Sequence, residues 1–397
     1  MSRGRGKKNR SAKGPLSGRA AARGRPVGDG PDPAVGSFTG PGPVGASRVM
    51  ADSPGWSTGF TEAFLTEMFN GASALPTDTS AGGPVAGRAG TSLQISWVTI
   101  ERWAREKAGT RGADRGRPYR DDAESLTDTQ LLDKLRGFGI ELDEAGLQTL
   151  CQDALSAQEV ASRLINHHLS AAERGTPDAD WVWLAVLTLW QRWWPAKPCL
   201  ETVDDKIQEG YARLARERGA ATDRWLDAWS DVLHLCDAAG LTTIAGFDER
   251  FPMTQSLFNW HQDLEMELGN AGLDDPAKLH ARITVGEEIM RRFTDCDRLV
   301  VENWRRAIAE AWFWLGETAT ADQLYRGWLD EDPKWGFGWV GWASGYMPPP
   351  GKGLFTDYQR AEDLLCQGHA VSGLRDRDAV AQWVRLAREE AGHSGRS

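Results

Sequence analysis

Residues 302–346 read ENWRRAIAEAWFWLGETATADQLYRGWLDEDPKWGFGWVGWASGY, and their spacing decides the fold. After Ile308 come a small residue, Ala309, and an aromatic three further on, Trp312. Gly316, Ala321, Tyr325 and Pro333 then follow at set intervals. Small and aromatic residues at steps of three and four give each of two helices one apolar face, and Gly316 and Pro333 end those helices. The pattern restarts in phase, because 34 residues separate Ala309 from Ala343 and Trp312 from Tyr346. A two-helix unit recurring at that period marks a helical repeat, in which each unit buries its apolar face against the next.

Working outward, a weaker hairpin runs from Ser256 to Phe293, and the helix carrying Val380, Trp383, Val384 and Leu386 would cap the array. Apolar periodicity and turn residues predict helices at about 179–194, 200–218, 223–239, 254–270, 276–293, 299–316, 320–331, 336–346, 357–370 and 376–391, with no alternating strand. Thr127 with Gln130 and Ser156 with Glu159 form capping boxes that open helices at 128–138 and 157–168, and Asp143 caps a third between them. The expected fold is therefore all-α. A helical-repeat domain occupies 178–392, with its clearest units at 302–391, preceded by a small helical subdomain at 126–175. Trp328 is bulky where the repeat favours a small residue, and it must either push the helices apart or fill a gap left by small neighbours such as Gly338 and Gly341.

Residues 1–120 are rich in Gly, Pro, Ser, Ala and Arg. Too few large apolar groups lie there to offset ordering entropy, so disorder is expected, apart from a short amphipathic helix at 93–107. The run 109–122 reads as a linker, with the folded body starting near Leu126. Nine bases and no acid fall in residues 1–25. Taking those nine from the 46 bases of the chain leaves 37 against 56 acids, a balance of −19. An acidic body repels phosphate, so only residues 1–25 can attract nucleic acid, weakly and in a salt-sensitive way. The segment 95–105, with Thr99, Arg102 and Arg105 on one side, has the look of a DNA-recognition helix but lacks a partner helix before it.

Cys151, Cys199, Cys236, Cys296 and Cys366 are widely spaced and odd in number, which excludes a zinc or disulfide framework and places them at apolar helix positions. The longest apolar run, Trp181 to Trp190, is too short for a bilayer and reads as a buried core helix. No secretory h-region follows the basic N-terminus, so the expected location is cytoplasmic, without membrane association.

The 19 tryptophans offer either core packing or an aromatic groove. Trp312 and Trp314 sit two apart and cannot both face inward, so at least one is expected to be exposed. Gly336 to Gly341 spells a dinucleotide fingerprint, but helix on both sides leaves the glycines a packing role. His261, Asp263, Glu265 and Glu267, facing Glu287 and Glu288, are the best candidates for a metal-dependent hydrolase. Asp263 and Glu267 form a second row expected to be solvated. His167 and His168 end a helix, where a cation suits the dipole.

The repeat signature is that of the tetratricopeptide type. The phrases Asp248-Glu-Arg-Phe-Pro-Met-Thr-Gln-Ser-Leu257 and Trp328-Leu-Asp-Glu-Asp-Pro-Lys-Trp-Gly-Phe-Gly-Trp339 resemble a group of bacterial tetratricopeptide-repeat-like helical proteins, some of which carry a SEC-C zinc motif. The resemblance spans about Leu126 to Gly392. It implies a right-handed α-solenoid that binds a protein or peptide, with no catalytic activity. The zinc motif's cysteine cluster is missing, so neither metal nor cofactor is carried over. The first helix of each pair lines the concave surface of such a fold, which puts Arg305, Lys334 and Trp339 near the expected partner groove.

Overall fold

The computed structural model describes residues 116–347 and 356–394, and these are all-α. Sixteen helices are present among the described residues, and no strand. They are α1 (Arg120–Glu124), α2 (Asp128–Arg136), α3 (Glu144–Cys151), α4 (Ala157–His168), α5 (Ala171–Arg174), α6 (Asp180–Trp193), α7 (Leu200–Arg213) and α8 (Arg218–Ala239). After these come α9 (Ile244–Arg250), α10 (Leu257–Gly272), α11 (Pro276–Arg292), α12 (Arg298–Trp314), α13 (Thr318–Glu331), α14 (Gly336–Ser344), α15 (Tyr358–His369) and α16 (Arg377–Ser394). Successive helices pack as neighbours, most closely α7 on α8, α10 on α11, α11 on α12 and α15 on α16. Among the described residues, no helix is long and apolar enough to cross a membrane. The helix expected at 93–107, the basic segment 1–25 and the disorder expected up to residue 115 lie outside the described residues.

The apolar run of α6 is a hub. Val182 to Trp190 are all buried, and α1, α2, α3 and α4 pack around them. Leu131, Leu135, Leu147, Val160 and Leu164 share one core with Val182, Trp183, Trp190 and Trp225, so residues 126–175 do not form a core of their own. The start of the body also moves upstream. Arg117 pairs with Asp180 at 3.0 Å, Arg120 pairs with Asp205, and Ala123 is buried, which replaces the expected linker over 116–122 with an anchored helical turn. The ion pairs join residues more than sixty positions apart, which no local pattern reveals.

The caps at Thr127 and Asp143 form as read, whereas Ser156 accepts from Glu159 N–H without the return bond from the Glu159 side chain, which pairs with Arg163. Gln130 N–H donates to Thr127 Oγ1 at 3.3 Å, and Gly146 N–H donates to Asp143 at 2.8 Å. Carboxylates from distant helices add a second kind of cap. Buried Glu201 of α7 accepts from Ser156 Oγ (2.8 Å), Ala157 N–H (2.9 Å) and Gln158 N–H (2.7 Å) at the start of α4. Asp204 accepts from the Thr254 N–H and hydroxyl, Asp248 from Leu257 and Phe258 at the start of α10, and Asp295 from Ile244 and Ala245 at the start of α9. The orphan N–H groups of a helix's first turn carry partial positive charge, so a carboxylate satisfies both hydrogen bond and dipole. Helix α9 escapes periodicity analysis because it is short; Thr243 caps it locally, accepting from Gly246 N–H at 3.0 Å, and Asp295 holds its remaining first-turn donors.

Two cysteines depart from expectation. Cys199 precedes α7 as its N-cap, and Cys296 lies in the turn between α11 and α12, where partial exposure replaces a core position. Burial pushes the Cys151 thiol up to about 12.

Candidate functional site

The turn from α13 to α14 is where the sequence-predicted contact residues gather. Pro333 follows α13, and Trp335 caps the start of α14. Gly336, Gly338 and Gly341 then let that helix approach its surroundings: a β-carbon on Gly336 would lie 2.1 Å from the Arg375 carbonyl oxygen. One on Gly338 would lie 2.3 Å from the Trp335 ring, and one on Gly341 would lie 2.5 Å from the Tyr325 hydroxyl. The glycines thus make room for Trp335, Tyr325 and a neighbouring backbone, not for Trp328 as the spacing suggests. Gly316 closes α12 at φ +83°, a left-handed conformation that side chains other than glycine's rarely adopt.

Arg305 of α12 reaches this turn. Its guanidinium pairs with Glu331 at 3.1 Å and lies 5.5 Å above the Trp328 ring, where cation–π attraction adds to the ion pair. Trp328 is half-buried, with its ring edge-on to Tyr325 and Trp335. Lys334 is exposed. Its carbonyl accepts from Arg375 N–H at 2.9 Å, tying the turn to the loop before α16. Arg375 also pairs with Glu302 and Asp332, each at 2.7 Å. The Arg375 hydrogen bond holds the Asp332 carboxyl below its usual range, whereas burial pushes Glu302 up. Arg305 and Lys334 therefore share one charged junction.

Trp339 faces another way. Its N–H donates to the Pro333 carbonyl at 3.0 Å, and its ring stacks on Trp342 at 6.0 Å. The same ring lies so close to Gly368 of α15 that a β-carbon there would come within 2.4 Å of it. Trp339 is thus held by internal contacts and is only partly open to a partner. Trp312 and Trp314 are each half-buried, so neither is the exposed ring that their spacing predicts: the interhelical gap takes part of both. Sequence reasoning missed Arg375 and Glu302 as members of the junction. Only folding brings residue 375 beside residue 302.

The carboxylate and histidine cluster on α10 is dispersed into separate bonds. Trp304 N–H donates to Nδ1 of buried His261 at 3.3 Å, and burial pushes that imidazole down to about 4. Asp263 accepts from the Tyr211 hydroxyl, Glu265 and Glu310 flank buried Arg282, Glu267 pairs with Arg218 at 2.8 Å, and Glu288 accepts from Trp229 N–H at 2.9 Å. The second row is therefore not solvated: Glu267 is buried, because α8 supplies its cation. Among the described residues, no three His, Cys, Asp or Glu side chains converge in a way that could hold a metal ion.

Comparison with family models, curated proteins and solved structures returns no match for this chain.

Proposed function

We propose that the chain is a tetratricopeptide-like right-handed helical repeat that binds a peptide or partner helix and performs no catalysis. The observation that carries this reading is the alternation of contacts from α8 onward. Each of α10, α12 and α14 touches not only the next helix but also the next but one, giving a continuous layer α10, α12, α14, α16, with α8 packed against α10. A layer of first helices is the surface with which solenoids hold extended partners. The repeat positions support it: Ala309, Ala321, Tyr325 and Ala343 are all buried. Arg305 with Trp328, and Lys334, present charge and half-open aromatic area at the junction, a composition favoured where proteins meet. Association with nucleic acid through residues 1–25 is a second reading, which only the charge of that segment supports.

The test is capture of a partner from native extract by the full chain, set against Arg305→Glu combined with Lys334→Glu. Recovery of the partner should fall at least tenfold. The melting temperature should barely move, because an exposed ion pair contributes only about 0–1 kcal/mol. Undiminished recovery would remove this junction from the binding surface.

A further inference from the structure

Among the described residues, the two large apolar side chains that stand exposed are Phe258 and Leu299, 40% and 56% open. Each is the second residue of its helix, α10 and α12, and half-buried Phe337 is the second residue of α14. These helices are successive members of one layer, α10 packing on α12 and α12 on α14. Contacts tie the three residues together. The Phe258 ring lies edge-on to His261 at 6.1 Å, and His261 accepts from Trp304 of α12. Leu299 lies two turns before Arg306 on the same side of α12. Arg306 in turn meets α14 one turn after Phe337, where a β-carbon on Gly341 would lie 3.2 Å from Arg306 Cγ. One apolar row therefore crosses the N-terminal rim of the layer. Single exposed apolar residues are ordinary, but a row of them marks a surface that something covers.

The chain itself carries a segment that fits. Residues 93–107 read LQISWVTIERWAREK, which sets Leu93, Trp97, Ile100 and Ala104 at helical spacing along one face and Arg102 and Arg105 on the other. In a helix, Leu93 to Ala104 rises about 16 Å. Helices packed about 8–10 Å apart put α10 and α14 about 16–20 Å from one another, so the stripe can touch all three rims. The chain also enters the body close by. Asp205 pairs with Arg120, and its neighbour Asp204 accepts from Thr254 Oγ1 at 2.8 Å, four residues before Phe258. From Lys107 to Gly116 the chain can span about 30 Å, which reaches the rim. A helix of this length is marginal alone in water, so burying its stripe stabilises it. Charge favours this segment over residues 60–69, which also carry apolar groups at helical spacing. Bases outnumber acids three to two in 93–107, whereas 60–69 hold two glutamates and no base, on a chain of formal charge −10.

We infer that residues 93–107 dock as a helix across the N-terminal rims of α10, α12 and α14, with Trp97 and Ile100 against Leu299. Docked there, the segment covers part of the layer that the proposed function gives to a partner, and it competes with that partner from within the same chain. The competition rests on that reading of the layer, whereas the docking rests on the apolar row, the stripe and the point of entry.

A photo-crosslinking benzophenone amino acid in place of Leu299, in the full chain, tests the docking directly. Irradiation in dilute solution should give an intramolecular crosslink that peptide mapping places within residues 93–107. The same label in place of Phe258 should reach the same segment, so the result does not hang on one substitution. Trp97→Glu combined with Ile100→Glu should cut the yield at least about tenfold, because an unpaired carboxylate resists burial against apolar groups. A crosslink to residues 60–69, a crosslink between two copies, no crosslink from either position, or a yield that ignores the double substitution would overturn the inference. The crosslink is read without any partner, so failed capture counts against the proposed function and a failed crosslink against this inference.

Discussion

The body contains two main cores held in different ways, and they meet within α12. One runs from Ala123 to Ala307, the other from Ala309 to Ala387. The first is stitched by carboxylates that reach from one segment to another: Glu201 and Asp204, which are buried, and Asp248 and Asp295, nearer the surface, each take backbone N–H from another segment. The second stacks rings at short range. Tyr325 lies parallel to Trp342 at 6.1 Å, and glycines in α14 and α15 admit the rings of Trp335, Tyr325 and Trp339. Rings press on glycines in the first core as well, Trp225 on Gly210 and Trp304 on Gly286, but there a charged acceptor such as Glu201 also satisfies several donors at once. A carboxylate that reaches in from another segment has no period in the sequence.

The sharpest break of this comparison is Glu201→Ala. Removing it strands three buried donors, the Ser156 hydroxyl and the N–H groups of Ala157 and Gln158. At about 1–3 kcal/mol for each unsatisfied group, with partial relaxation, the loss should be about 3–5 kcal/mol in urea unfolding. A loss under 1 kcal/mol would mean that water replaces the carboxylate and that the first core is not stitched by it.

His261 offers a smaller effect that should also be confined to the first core. Its imidazole is pushed from 6.5 down to about 4 by burial, so between those values the unfolded chain takes up a proton that the folded one refuses. Stability is complete above pH 6.5 and falls as pH drops towards 4, by about 3 kcal/mol from this group. Equilibrium unfolding at several pH values, with His261→Leu for comparison, checks the sign: the wild type should lose stability over this window more steeply than the variant. Equal slopes would show that other groups set the acid response.

The second core is sharpened by Gly341→Ala. A methyl group there would lie 2.5 Å from the Tyr325 hydroxyl and 3.2 Å from Arg306, so α14 must shift outward. Overpacking of this kind costs about 1–3 kcal/mol. Near-ultraviolet circular dichroism should change with it, because the Tyr325 and Trp342 rings move. An unchanged spectrum would mean that the helix yields without disturbing the stack.

What the amino-acid order determined by itself is what depends on near neighbours. The apolar run of α6, the capping box at Thr127, the Ser156 cap, and the helices from α10 to α16 were all legible, within a few residues at their ends. Helix formation and capping involve residues three or four positions apart. The tertiary structure alone decided the rest: that α1 is anchored through Asp180 and Asp205, that α9 exists beside Asp295, and that Arg375 joins Glu302. It also decided that the acids of α10 go to separate partners. Each of these is a charge meeting its partner across tens of residues, and electrostatic pairing leaves no spacing in the sequence because it depends on which helices become neighbours.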